Sequence, residues 1–224
     1  VLAATDTVEV ADGSAIVADR QSHSEALAVT GDGALIRVAS GGEAVVRTDA
    51  SGVLGTARVG AARLDGAQVQ IDATRETRVG SGASIETDTF ALGAERITLG
   101  DAHPAAGVGI DATLLAGLSE ANAIILRSYS SIDIAGDLDL GSVDDPLNQL
   151  TLDAAMVGWT GAAGGRASIV ANAITLTNTT GGVVEDAGAR LLAGAGGSLD
   201  LQAVGADAGT GVVTIADGAS ALRG

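Results

Sequence analysis

At 224 residues and 46% hydrophobic content, the chain can form one large domain or two small ones and is too apolar for a disordered acidic tail. Its formal net charge of −16, with all 12 basic residues arginine, disfavours nucleic-acid binding, which gains affinity when Lys and Arg displace phosphate counterions. The absence of cysteine excludes disulfides and thiolate chemistry, the absence of lysine excludes P-loop and Schiff-base chemistry, and no apolar run approaches the ~18–20 residues that cross a bilayer.

The opening Val1-Leu2-Ala3-Ala4-Thr5-Asp6 has neither an initiating Met nor a charged-then-apolar leader and reads as a piece cut from a longer chain. Through Val59 the periodicity is weak. Short strands are expected at Thr7–Val10, Ala34–Val38 and Glu43–Arg47, punctuated by Asp12-Gly13, Gly31-Asp32-Gly33 and Ser40-Gly41-Gly42. Residues 1–59 are therefore expected to form a less regular, capping layer of a single segment covering 1–224.

From Ala61 onward the alternation is clear. In Gln68–Asp72, Val69 and Ile71 face one way while Gln68, Gln70 and Asp72 face the other. Ile132 with Ile134 and Leu138 with Leu140 repeat the pattern, which points Asp133 and Asp139 outward. Between these strands Asp111 can cap a short helical turn over residues 112–118, ending near Gly117. Gly158–Gly165, Thr180–Gly182 and Gly194–Gly197 read as longer turns, which would place Trp159 on an exposed or partly covered lip.

Val69, Ile97, Ile124, Leu150, Ile174 and Leu199 recur at intervals of about 25 residues, the spacing of a solenoid coil. Ile85, Ile110 and Ile134 form a second series between them. Aromatics make up only 1% of the chain, so a core must be filled by Val, Ile, Leu and Ala in thin, similar layers. The fold expected is all-β: a β-solenoid in which each coil satisfies its backbone groups against the coils above and below. Roughly nine coils at ~4.8 Å each would make a rod of about 40 Å.

The succession of motifs resembles a known family. Leu126-Arg127-Ser128-Tyr129-Ser130-Ser131-Ile132-Asp133-Ile134-Ala135-Gly136-Asp137 looks like a phrase of large filamentous-haemagglutinin-like exoproteins. Leu64-Asp65-Gly66-Ala67, Ile71-Asp72-Ala73-Thr74, Arg96-Ile97-Thr98-Leu99-Gly100-Asp101 and Ile174-Thr175-Leu176-Thr177-Asn178-Thr179 fit the same domain in the same order. The resemblance covers the chain from about Ala34 onward. It implies a single-stranded right-handed parallel β-helix in a secreted, bacterial cell-surface protein, exported through an outer-membrane β-barrel transporter by two-partner secretion. Such proteins serve as adhesins, haemolysin-like exoproteins or contact-dependent inhibitors, with a host or neighbouring cell-surface glycan or protein as partner. The family's Asn-Pro-Asn secretion motif and an Arg-Gly-Asp tripeptide are absent here, so the segment reads as shaft.

An enzyme is the competing class, because parallel β-helices also host polysaccharide lyases and hydrolases. The best carboxylate group is Asp133, Asp137, Asp139, Asp144 and Asp145, with Arg127 nearby in sequence; it has the chemistry for Ca²⁺ or for an acid–base pair. Strand alternation places its members on a solvated face, and Asp144-Asp145-Pro146 reads as a turn. His23 and His103 have no metal-ligand spacing, and Gly-Gly-x-Gly-x-Asp never occurs in register. Trp159, Tyr129 and Phe90, scattered along the chain, are the only aromatic candidates for stacking on a sugar. The sequence therefore assigns no catalytic, cofactor-binding or metal residue. It favours a non-catalytic structural or adhesive shaft, with a carbohydrate-active β-helix as the alternative.

Overall fold

The computed structural model describes residues 1–19, 27–100, 107–118, 120–161, 164–184, 186–187, 190–192, 197–207, 209–216 and 220–221. They form an all-β protein with mostly parallel sheets and one six-residue helical segment. The early strands are β1 (Leu2–Ala4), β2 (Thr7–Val10), β3 (Ala15–Val17), β4 (Val29–Thr30), β5 (Ala34–Ala39), β6 (Arg47–Thr48) and β7 (Thr56–Val59). Then come β8 (Arg63–Ala73), β9 (Glu76–Val79), β10 (Ser84–Ala94), β11 (Ile97–Leu99), β12 (Val108–Ile110), α1 (Ala112–Gly117), β13 (Ala123–Ser128) and β14 (Ser131–Ile134). The last third holds β15 (Leu138–Leu140), β16 (Leu147–Asp153), β17 (Met156–Trp159), β18 (Arg166–Thr177), the hairpin pair β19 (Val183–Val184) and β20 (Asp186–Ala187), β21 (Arg190–Leu192), β22 (Ser198–Ala203), β23 (Val212–Ile215) and β24 (Ser220–Ala221).

Apart from the two-stranded pairs β4–β6 and β19–β20, the strands fall into three rows that the chain revisits. The main row stacks Val69, Phe90, Ile124, Leu150, Ile174 and Val213 in parallel register. A flanking row uses the first halves of β8, β10 and β18: Ile16, Leu64 and Ile85 pair in one stretch, Leu138, Ala167 and Leu199 in another. The third row runs β2–β7–β9 and then β12–β11–β14–β17–β21–β24. Inward side chains from all three rows meet in one aliphatic cluster reaching from Val8 to Leu176. Their β-branched and leucine side chains suit a pleated, half-buried surface, which is why alternation alone locates the strands.

The register corrects the single apolar series expected from sequence. Ile97 stacks on Val108 and Ile132 in the third row, and Leu199 stacks on Ala167 in the flanking row, so neither belongs with Val69. The intervals are also unequal: Val69 to Phe90 is short and Phe90 to Ile124 long, because an insertion intervenes. In that insertion the chain lays β12 on the free side of β11 and then forms α1, whose Leu114 N–H donates to Asp111 Oδ1 at 2.8 Å. The expected cap and helical turn are both present.

The first residues differ from the rest in strand direction. β5 runs antiparallel to β8, with Ile36 opposite Ile71, and β1 is antiparallel to β5 in turn. Of the expected Glu43–Arg47 strand only Arg47 is in one, because residues 42–46 leave the sheet and cross its outer face. Gly55 serves a close approach: at φ +98 its absent Cβ would lie 2.3 Å from the Gly33 carbonyl oxygen.

Trp159 also departs from expectation. It ends strand β17 and is only 7% exposed, covered by glycines: a Cβ at Gly165 or Gly197 would fall 2.4 or 2.5 Å from its indole ring. Gly161, Gly165 and Gly197 are thus packing surfaces for the one tryptophan.

Candidate functional site

The carboxylates singled out in the sequence are not brought together. Asp133 does not point into solvent; it is buried on β14, with Arg96 Nε 3.4 Å from its Oδ2. Its register neighbours, Thr98 and Gly158, are small enough for that guanidinium to lie over the carboxylate. Asp139 is exposed as expected, but on β15 in a different row. Asp137 Oδ1 accepts the Arg166 N–H at 2.8 Å, and Asp144 and Asp145 sit in an exposed turn where Ser142 and Asp145 bond each other. His23 and His103 lie outside the described residues. Among the described residues no three His, Asp or Glu side chains are grouped to hold a metal ion.

The densest polar constellation lies elsewhere, on the outer face of the main row. Gln68, Gln70 and Asp72 do face away from Val69 and Ile71, yet all three are buried. The cover is the crossing segment 40–48. Gln70 holds it as a neighbouring strand would, its Oε1 accepting the Val45 N–H and its Nε2 donating to the Val45 carbonyl, both at 2.8 Å. Arg127 Nη1 donates to the same carbonyl at 2.8 Å, and Arg37 Nη1 donates to the Glu43 carbonyl at 2.9 Å and to Gln68 Oε1.

Beneath the segment, parallel register lines up Asp72, Gly93, Arg127, Asp153 and Thr177. Arg47 Nε meets Asp72 Oδ2 at 2.9 Å, and Arg127 Nε meets Asp153 Oδ2 at 2.7 Å. Each carboxylate has a further donor. The Tyr129 hydroxyl donates to Asp72 Oδ1 at 2.6 Å, and the Thr179 N–H donates to Asp153 Oδ1 at 2.7 Å. Gly93 makes the closure possible, since a Cβ there would lie 2.0 Å from Asp72 Oδ1. Both ion pairs are satisfied on every side, which is the condition for a buried pair to be tolerated at all. The one exception nearby is Gln68 Nε2, which has no hydrogen-bond partner among the described residues.

Burial, and then the neighbouring Asp72 charge, push the Tyr129 phenol far above its ordinary range. A group whose folded pKa is raised supports the fold fully below its unfolded value and loses that support as pH climbs toward the folded one. Stability is therefore expected to fall as pH rises past ~10, the unfolded phenol value. Tyr129 is the only tyrosine, so absorbance at the tyrosinate band reads it alone. The band should appear only as the chain unfolds, and Tyr129→Phe should flatten the alkaline decline; ionisation of the intact protein near pH ~10 would refute the buried hydrogen bond.

Sequence reasoning missed Arg37, Arg47, Gln68, Gln70, Asp72 and Asp153, and it placed Arg127 with the wrong carboxylates. A signal existed. Arg127 and Asp153 occupy the same offset after an aliphatic pair in successive repeats, Ile124-Ile125-Leu126-Arg127 and Leu150-Thr151-Leu152-Asp153. In-register opposite charges on neighbouring strands are what such spacing produces. The aromatic candidates for sugar stacking are likewise enclosed: Phe90 is fully buried and Tyr129 donates to Asp72.

Fold and site together define an all-β protein of mostly parallel, in-register strands, cross-linked on one outer face by saturated buried ion pairs. No family model, curated protein or solved structure matches the chain.

Proposed function

We propose that the chain is a right-handed parallel β-helix acting as a non-catalytic shaft segment of a large secreted, filamentous-haemagglutinin-like exoprotein that mediates adhesion or cell–cell contact. The observation that carries this reading is the in-register stacking of inward aliphatic residues in recurring rows, from Val69 through Phe90, Ile124 and Leu150 to Ile174. Stacked layers of this kind draw their stability from neighbours and give stiffness along one axis. The polar groups support the same reading. The outer-face carboxylates are consumed in ion pairs, and the remaining acidic residues are dispersed over different rows. With a net charge of −16, such a rod repels its own kind and stays extended and soluble. Its partners would be an outer-membrane β-barrel transporter during export and a glycan or protein on a neighbouring cell surface.

The test pairs shape with activity. Small-angle scattering of the purified chain is expected to show an elongated particle of constant cross-section, and incubation with a panel of extracellular polysaccharides should release no reducing or unsaturated ends. A compact spherical profile would overturn the shaft. Sustained sugar release would favour the carbohydrate-active alternative.

A further inference from the structure

The flanking row is interrupted at one layer. β8 and β10 pair along Arg63–Gly66 and Ser84–Thr87, and β15, β18 and β22 continue the row beyond, but α1 stands in the layer between, with β15 on its far side. Ser84 donates its N–H to the Ala62 carbonyl at 2.9 Å. The alternation of a parallel ladder then turns the backbone groups of Ile85 and Thr87 the other way, toward α1. Among the described residues no strand pairs with Ile85–Thr87 on that side: β8 pairs them on the other, and β13 joins β10 only from Thr89 onward.

A cleft of about 550 Å³ opens along this edge, with Val79, Ile85, Leu114 and Leu118 as its apolar lining. Ile85 is an inward position of the row, yet it is only half-buried where its register partner Leu64 is fully enclosed. A strand in the place of α1 would have covered it. The cleft continues into a smaller one of about 280 Å³ bordered by Glu86, Thr87 and Glu120. Glu86 and Glu120 are exposed, and Arg63, 3.1 Å from Glu86, is the one basic residue bonded to Glu86 among the described residues.

We infer that this cleft binds an extended peptide by strand addition to β10, one in which aliphatic side chains alternate with basic ones. Three features select that occupant. A strand edge with open N–H and C=O groups is complemented by another backbone, which a lipid tail or a sugar does not offer. The period of two along a bound strand would send every second side chain against Ile85 and Leu114 and leave the others facing outward. The outward side chains would meet Glu86 and Glu120 on a chain of net charge −16, which favours positive charge. The site is independent of the shaft reading, since the edge and cleft are present whatever the chain's larger role.

The experiment titrates the whole chain with a labelled peptide of about six residues, alternating arginine and valine, enough to span one strand. A second peptide replaces arginine by aspartate, and a third keeps the arginines but carries proline at alternate positions. The arginine–valine peptide is expected to bind and to slow exchange of the Ile85 and Thr87 amides by roughly tenfold or more. The aspartate peptide should bind at least about tenfold more weakly, as reversing several exposed charge contacts implies, and the proline peptide should not protect the amides. Thr87→Pro removes one open N–H at an edge position where proline is tolerated, and Leu114→Arg fills the cleft from the opposite wall. Both should abolish protection at Ile85, the amide that Thr87→Pro leaves in place, while unchanged circular dichroism reports the fold. Absence of binding, equal binding of the acidic peptide, or binding without protection at Ile85 and Thr87 would each overturn the site.

Discussion

Replacing Asp72 by alanine is expected to destabilise the folded chain by about 3–5 kcal/mol, the cost of removing one partner from a buried ion pair. Asp72 is 2% exposed and accepts from both Arg47 Nε and the Tyr129 hydroxyl. Its loss strands a guanidinium that is itself 3% exposed and leaves the phenol without an acceptor. Among the described residues the Arg47 guanidinium would retain only the Gly31 carbonyl, 3.0 Å from Nη1. The damage should spread to the crossing segment, because Arg47 anchors one end of it while Gln70 and Arg127 hold Val45. Urea denaturation measures the loss. A paired replacement, Arg47→Leu with Asp72→Leu, should recover most of it, since an apolar pair of similar volume carries no desolvation penalty. A cost for Asp72→Ala below ~1 kcal/mol, the range of exposed ion pairs, would show that water reaches this network.

Phe90→Ala is the second large effect, at about 3–5 kcal/mol for emptying a fully buried aromatic position. Phe90 is the only phenylalanine and stacks between Val69 and Ile124 in the main row. Aliphatic layers on either side are hydrogen-bonded through their backbones and have little freedom to close over the gap. β10 pairs with β8 on one side and β13 on the other, so the damage should concentrate in those strands. Amide exchange should accelerate most in β8 and β13, and Phe90→Leu should cost less than ~1.5 kcal/mol because most of the volume is kept. If Phe90→Ala costs no more than Phe90→Leu, the position is not packed as the structure has it.

Much of the fold was legible in the chain. Strands at Gln68–Asp72, Ser131–Ile134 and Asp137–Leu140 and the inward set of Val69, Ile71, Ile132 and Leu138 follow from a period of two, a local property set by side-chain direction alone, and the helical turn after Asp111 follows from its cap, equally local. The polar site was not legible. The outward residues Gln68, Gln70 and Asp72 have the pattern of a solvated strand face and would be one if residues 40–48 did not cross it. Nothing in Ser40–Thr48 marks that route, because its hold comes from partners such as Gln70 and Arg127, distant in sequence.

Composition and alternation by themselves determined that the chain is β-rich, that its interior is thin and aliphatic, and that its surface is strongly acidic. Only the tertiary structure decided which strands stack, that Ile97 and Leu199 leave the row of Val69, and that Asp72 and Asp153 face arginine instead of water. The physical reason is that alternation repeats every two residues and is written locally. Register depends on the length and path of the segments between strands, and the insertion before β13 shifts every later layer without changing the pattern of any strand.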